Sequence, residues 1–570
     1  MAIVINGSGT VTGISVGGLP DGIVDSDMLA SGAAASAIGD LSDAATTATS
    51  NIGLGATTVD SITTGDYNVG VGDNALTATT SGSNNSGFGH NALASNTTGG
   101  SNTGYGASAL WGNTTASYNT AVGMQACNST NTGANNAGIG YHALFVNTTG
   151  AENVAVGSLA LDANTTGSTN TAVGNQALGA NTTASNNTAV GQASMANNTT
   201  GSPNTAVGRS SLAAMTTGAN NTAIGYQALT SVTDGGNNVA VGHNTLTALT
   251  SHSYCTAVGV AALEANTTAH ANTAVGYKAM LSNTTGDNST AIGTEALKTN
   301  TTGVQNTAVG YYALRLSTTG QDNAALGFKA LYANTTGSTN VAIGAYALKD
   351  ATTAGGNIAV GRGAGGGLTT GEGNIIIGYD AGDHGTSVET GGNCILIGNY
   401  TQAGSTAPSQ SVTIGYAVDG ADSTFTFGFG SSDTRCTNGS TSWSAPSDQR
   451  LKEEITTSTA GLGFINDLRP VTFKWKKEKD IPTDLAGYVE GSDTRYKTDT
   501  TEHGFIAQEV KTAIDAHSEI KDGFDMWTED SSGGRQRIAD GSLVPMLVKA
   551  IQELSAKNTA LEARITTLEG

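Results

Sequence analysis

The sequence predicts a mainly β protein: a long β-solenoid shaft of 17-residue repeats, followed by an α+β domain that ends in a heptad helix. Three observations carry this reading. First, a glycine recurs every 17 residues from Gly72 to Gly378, through Gly89, Gly106 and Gly123, and the phase restarts at Gly398 and Gly415. So strict a period marks units that stack on one another and bury little alone. Second, small and larger residues alternate just before each glycine, as in a short strand. Third, the charge shifts abruptly: of 24 Lys and Arg, eight precede Ser447 and sixteen fall in the last 124 residues. That shift sets a domain boundary.

Residues 1–60 open with MAIVINGSGTVTGISVGG, short alternating runs separated by Gly, and continue into an Ala/Ser/Thr-rich neck. The start lacks the basic residues and long apolar core of a secretory signal. Nowhere does an apolar run approach the roughly 20 residues that cross a bilayer, so membrane insertion is not expected. A net charge of −21 argues against nucleic acid as a partner. The four cysteines, Cys127, Cys255, Cys394 and Cys436, have no metal-ligand spacing. Cys127 replaces the usual Leu of a repeat and Cys255 the usual Asn, so they are expected as repeat fillers; neither a metal nor a cofactor is predicted.

The shaft is assigned to residues 61–382. A representative unit is Asn272-Thr-Ala-Val-Gly276-Tyr-Lys-Ala-Met-Leu-Ser-Asn283-Thr-Thr-Gly286-Asp-Asn288. Val, Ile, Leu or an aromatic precedes the phase glycine, with a small residue one step earlier. This predicts a short strand with its larger side chains on one face. The glycine lets the chain corner, an Ala-Leu pair follows, and Asn-Thr-Thr-Gly supplies turn chemistry. Stacking at about 4.8 Å per coil makes nineteen coils about 90 Å long. Each coil encloses little apolar volume, so three chains are expected to bury their apolar faces along a common axis, giving a homotrimer.

The unit resembles the head repeats of trimeric autotransporter adhesins through its NTAVG, STAIG or NVAIG step and the Ala three residues after the glycine. Asn-Thr-Thr also fits the glycosylation sequon, but its fixed phase is explained by turn geometry. Acidic residues in the shaft are scattered and out of phase, which provides no paired catalytic carboxylates. Residues 383–446 read as a less regular β-rich distal tip. Phe425, Phe427 and Phe429 alternate there as on one strand face, the ordinary pattern of core packing; with Trp443 and Asp433 they are also the candidate receptor-binding residues.

Residues 447–570 hold four motifs in order: Ser447-Asp448-Gln449-Arg450-Leu451-Lys452, Leu468-Arg469-Pro470-Val471-Thr472-Phe473-Lys474, His503-Gly504-Phe505-Ile506-Ala507-Gln508-Glu509-Val510, and Val544-Pro545-Met546-Leu547 running to Leu554. Together they resemble the endosialidase-type intramolecular chaperone domain of phage tail spikes and fibres. The opening of the chain likewise resembles tail-fibre attachment segments. The resemblance implies a trimeric folding chaperone that cuts itself off between Pro446 and Ser447, with Ser447 as nucleophile, Lys452 as its partner, and Asp448 and Arg450 in supporting positions. The chemistry is sound, since a lysine of lowered pKa can take the hydroxyl proton and the resulting ester is opened by water. A Ser447-Asp448 helix cap with Lys452 in solvent is the alternative reading of the same residues. Val544, Leu547, Ile551, Leu554, Asn558, Leu561, Ile565 and Leu568 alternate spacings of three and four, predicting a coiled coil over about 544–569.

The reading that results is a phage virion tail fibre, made in the host cytoplasm. Its N-terminus would join a tail or baseplate protein and its shaft or tip a host cell-surface glycan or protein. Its only enzymatic step would be a single-turnover self-cleavage. A cellular trimeric adhesin and a polysaccharide-depolymerase fibre are the alternatives.

Overall fold

The computed structural model describes residues 4–5, 11–12, 50–440, 444, 449, 452–483, 485, 487–521, 524–529 and 536–570. The chain divides into two compact units, Met1–Pro446 and Ser447–Gly570.

In the first unit a small antiparallel pair, Val4–Ile5 with Val11–Thr12, precedes the solenoid. The solenoid is one continuous parallel ladder in which each coil contributes a strand of three to six residues, from Ile52–Leu54 to Thr424–Phe429. Register repeats at 17: Thr273 lies against Thr290, Ala274 against Ala291 and Val275 against Ile292. The ladder begins before residue 61 and continues past residue 382, so the segment assigned as an irregular tip is largely more solenoid. It absorbs one 20-residue coil, with Ile375 against Ile395, and one 13-residue coil, with Val412 against Phe425. The antiparallel strand Ser432–Thr437 then covers the last coil and ends its open edge.

The strand alternation is present, with the larger side chains on one face, and that face is the outer one. The middle residue, usually Ala, points inward and is fully buried, as at Ala274, Ala291 and Ala308. The larger residue before the glycine points outward: Ile292 is 41% exposed, Leu326 50% and Ile343 41%. The interior of one coil is narrow and already holds the second apolar pair, Ala279-Met280 or Ala296-Leu297, both buried. Only a methyl fits opposite them, so the branched side chains are displaced to the surface.

Two ladders of buried asparagine complete the interior. In the first, the Asn323 backbone N–H and Nδ2 both donate to Asn306 Oδ1 at 3.1 Å, while Nδ2 also donates to the Gly337 carbonyl at 2.9 Å. In the second, Asn181 Nδ2 donates to Asn164 Oδ1 at 2.8 Å and to the Ala184 carbonyl at 3.1 Å. These side chains satisfy backbone groups that the short strands leave over. The second ladder consists of the Asn-Thr-Thr asparagines; Asn96, Asn164, Asn283 and Asn334 are fully buried, which makes them unavailable as glycan acceptors in the folded chain. All four cysteines are free and buried. Burial pushes the Cys127 thiol up to about 12.

Candidate functional site

Among its described residues the C-terminal unit has three α-helices, α1 (Leu462–Asp467), α2 (Ala507–Ala516) and α3 (Val544–Glu569), and two antiparallel strand pairs. Its core gathers Phe464, Leu468, Val510, Ala513, Ile514, Met526 and Leu543. Phe464 is fully buried and meets Phe524 edge-on at 5.6 Å.

The motifs that are far apart in the sequence meet here. Val471–Phe473 pairs antiparallel with Glu502–Gly504, setting Val471 against Gly504 and Thr472 against His503. Arg469 Nε donates to Glu509 Oε2 at 2.9 Å, with a second ion pair from its Nη2 to Oε1. The carboxylate beside it raises the Arg469 guanidinium further, and Arg469 holds Glu509 below the usual carboxylate range. The fourth motif meets α1: Glu553 Oε2 on α3 accepts from the Leu462 backbone N–H at 2.9 Å, serving as the missing cap of α1. Gly461 permits this approach, since a Cβ there would stand 2.8 Å from the Glu553 carboxylate. A cap delivered from 91 residues away leaves no local signal in the sequence.

His517, just after α2, is a second unforeseen tie. Its Nε2 lies 2.8 Å from Asp467 Oδ2 at the end of α1, and its Nδ1 lies 2.9 Å from Glu519 Oε1. The hydrogen bond to Asp467, then that to Glu519, raises the imidazolium pKa above its ordinary value.

Of the predicted cleavage residues, Pro446, Ser447, Asp448 and Arg450 lie outside the described residues. Lys452 is exposed, and its backbone N–H donates to the Gln449 carbonyl at 3.1 Å. Helix α3 spans 26 residues, and its heptad positions face solvent in the single chain: Ile551 is 64% exposed and Leu568 84%. Only Ala550 on this helix is buried. At the tip, Phe427 is 45% and Phe429 69% exposed, while Phe425 is half-buried. Thr424 and Thr426 take the inward positions instead, so the phenylalanine stripe is an outer face and not core. Asp433 is buried and paired to Arg435 at 2.7 Å, which removes it from a recognition surface. Trp443 lies outside the described residues. Among the described residues no group of His, Cys, Asp and Glu is arranged to hold a metal, and no helix is long and apolar enough to cross a membrane.

Residues 447–518 match the family model described as chaperone of endosialidase. The match falls within the second compact unit and covers three of the four motifs. No curated protein matches the chain, and no solved structure does. With the β-solenoid ahead of it, the match supports a C-terminal folding-chaperone role in a fibre-type protein.

Proposed function

We propose that the protein is a homotrimeric tail fibre of a phage virion, folded under the direction of its C-terminal unit, which then releases itself by cleavage between Pro446 and Ser447. The observation that carries the reading is a pair of unsatisfied apolar surfaces on a single chain beside the chaperone match. One is the outward Val/Ile/Leu row along the solenoid; the other is the exposed seam of α3. Soluble monomers rarely expose continuous apolar surface of this extent. Three copies sharing an axis would bury both rows, the helices as a coiled coil. In this scheme α3 brings three chains together, and the solenoids then find each other at high effective concentration. Adhesion to a host surface and attachment through the N-terminus complete the proposal.

Mass spectrometry of the full-length product tests it. The expected outcome is a 446-residue shaft and a 124-residue fragment beginning at Ser447, with Ser447→Ala and Lys452→Ala each giving an uncut trimer. A chain lacking residues 447–570 is expected to be monomeric or aggregated. Soluble, heat-resistant trimer from that truncated chain would remove the chaperone role. An uncut wild-type trimer would remove the cleavage.

A further inference from the structure

The basic residues of the shaft are not scattered. In the six consecutive coils that begin at Gly276, Gly293, Gly310, Gly327, Gly344 and Gly361 there is one cation per coil: Lys278, Lys298, Arg315, Lys329, Lys349 and Arg362. The thirteen coils before them, from Gly55 to Gly259, hold only Arg209. All six lie one, two or five residues after the phase glycine, so stacking in register places them along one corner of the solenoid. Residues 1–446 carry eight basic and 23 acidic side chains, a net of −15. This corner therefore gathers six of the eight basic side chains of an acidic unit.

Aromatic rings occupy the same corner. Lys278 lies over Tyr277 at 5.0 Å, and Lys329 over Phe328 at 5.5 Å and Tyr332 at 5.4 Å. Arg362 lies over Tyr379 at 5.2 Å and Tyr346 at 6.0 Å. Five carboxylates temper the line, Glu264 near Lys278 and Asp383 near Lys349 among them. Glu295 pairs with Lys298 at 3.0 Å and Arg315 at 2.6 Å, Asp350 with Lys349 at 2.5 Å, and Asp380 approaches Arg362 at 3.8 Å. Lys278 and Lys329 instead rest on rings, which hold their ammonium groups in place without cancelling their charge. Beyond the last cation the rings continue toward the end of the solenoid: Tyr379 to Tyr400 at 5.3 Å, Tyr400 to Tyr416 at 5.9 Å, and Tyr416 to Phe429 at 5.0 Å.

We infer that this corner is a docking track for a linear acidic glycan, whose carboxylates meet the coil cations and whose sugar rings lie against the tyrosines. It goes beyond the fibre reading and rests on that reading only for its biological setting. The spacing favours such an occupant: one cation per step of about 4.8 Å is close to the length of one sugar unit in an extended chain. A neutral glycan would make no use of the charge line. A nucleic acid, with its denser phosphates, would be repelled by the rest of the unit.

Binding of alginate oligomers, a linear polyuronate, to the protein as isolated after expression of the full chain tests the track. Neutral malto-oligomers and single-stranded oligothymidylate of equal length serve as comparisons. Alginate is expected to bind, to bind less tightly as salt is raised, and to lose at least tenfold in affinity in Lys278→Gln/Lys329→Gln/Arg362→Gln. Tyr379→Ala is expected to weaken it several-fold with the cations intact, and Asp322→Asn, outside the corner, to leave it unchanged. Absence of alginate binding, equal binding by the triple variant, or equally tight oligothymidylate binding would each overturn the track. Loss of the trimer in the triple variant, read by sedimentation, would reassign the corner to contacts between copies of this chain. A fibre that adheres to host cells yet ignores alginate sinks the track and leaves the fibre reading standing. Alginate binding by a protein absent from any virion does the reverse.

Discussion

Gly276 sits at φ +140°, and a Cβ there would come within 2.5 Å of the Gly293 carbonyl oxygen in the next coil. The corner is glycine because backbone of one coil rests directly on backbone of the next. Gly276→Ala is therefore expected to cost at least about 2 kcal/mol, from strain and overlap together. Gly430→Ala, at φ +56° with nothing within 4 Å, should cost only about 1 kcal/mol. Urea unfolding of the two variants measures the difference. The asparagine ladder makes a similar demand through hydrogen bonds. Asn340 Oδ1 accepts from the Asn357 N–H at 3.0 Å, and its Nδ2 donates to the Ala354 carbonyl at 2.8 Å. Asn340→Leu would leave both groups buried and unpaired, a loss of about 2–4 kcal/mol, whereas Thr339→Ala on the exposed turn should stay within about 0.5 kcal/mol. Equal midpoints for these two variants would contradict the ladder's role.

Elements in this protein are too short to stand alone. A three-residue strand such as Thr273–Val275 has no stability outside its ladder, and α1 spans only six residues, below any independent helix. In the C-terminal unit the ties between elements are polar and titratable. His517 joins the end of α1 to the segment after α2 through Asp467 and Glu519. Its pKa is raised in the folded chain, so the folded state holds a proton that the unfolded state releases sooner. The stabilisation is complete below the ordinary histidine value of about 6.5 and fades as pH rises through the raised value. The denaturation midpoint of this unit should fall as pH rises above about 6.5, and His517→Gln should flatten that dependence. An unchanged slope in the variant would show that another group carries it.

At the scale of the whole solenoid the period itself is the stabilising device. Every coil meets its neighbours through the same register, so stability adds up coil by coil. Removing residues 174–190, one full coil, should leave a folded stack with a thermal midpoint within a few degrees of the parent. Removing residues 174–189 instead joins Val173 to Val190 and leaves one extra residue inside the strand at that junction, while every later coil keeps its register to its neighbour. The misfit is local to that junction and should lower the midpoint further than the whole-coil deletion does. Circular dichroism and calorimetry on the two deletions read this directly. If both fold equally well, coil register does not govern the stack. The 20- and 13-residue coils near the end of the ladder show what is tolerated: extra or missing residues in the turns, with strand register kept.

The solenoid was legible in the sequence because one residue per coil, the glycine, has no substitute where backbones touch, and its phase therefore survives in every unit. The second domain was legible because motifs and charge density change together near Ser447. That the larger residues share one face was legible; that this face is the outer one was not, because it is set by the narrow interior, which Leu, Met and Asn from other parts of the coil already fill. The same holds for the Glu553 cap and the His517 bridge, which join residues separated by 91 and 50 positions. The cation line was present in the sequence as single lysines and arginines 13 to 20 residues apart, which no local window collects. Repetition determined the fold, because a stacked period has one way to bury its backbone. The tertiary structure alone decided the surfaces, because stacking in register turns residues distant along the chain into neighbours about 5 Å apart along the axis.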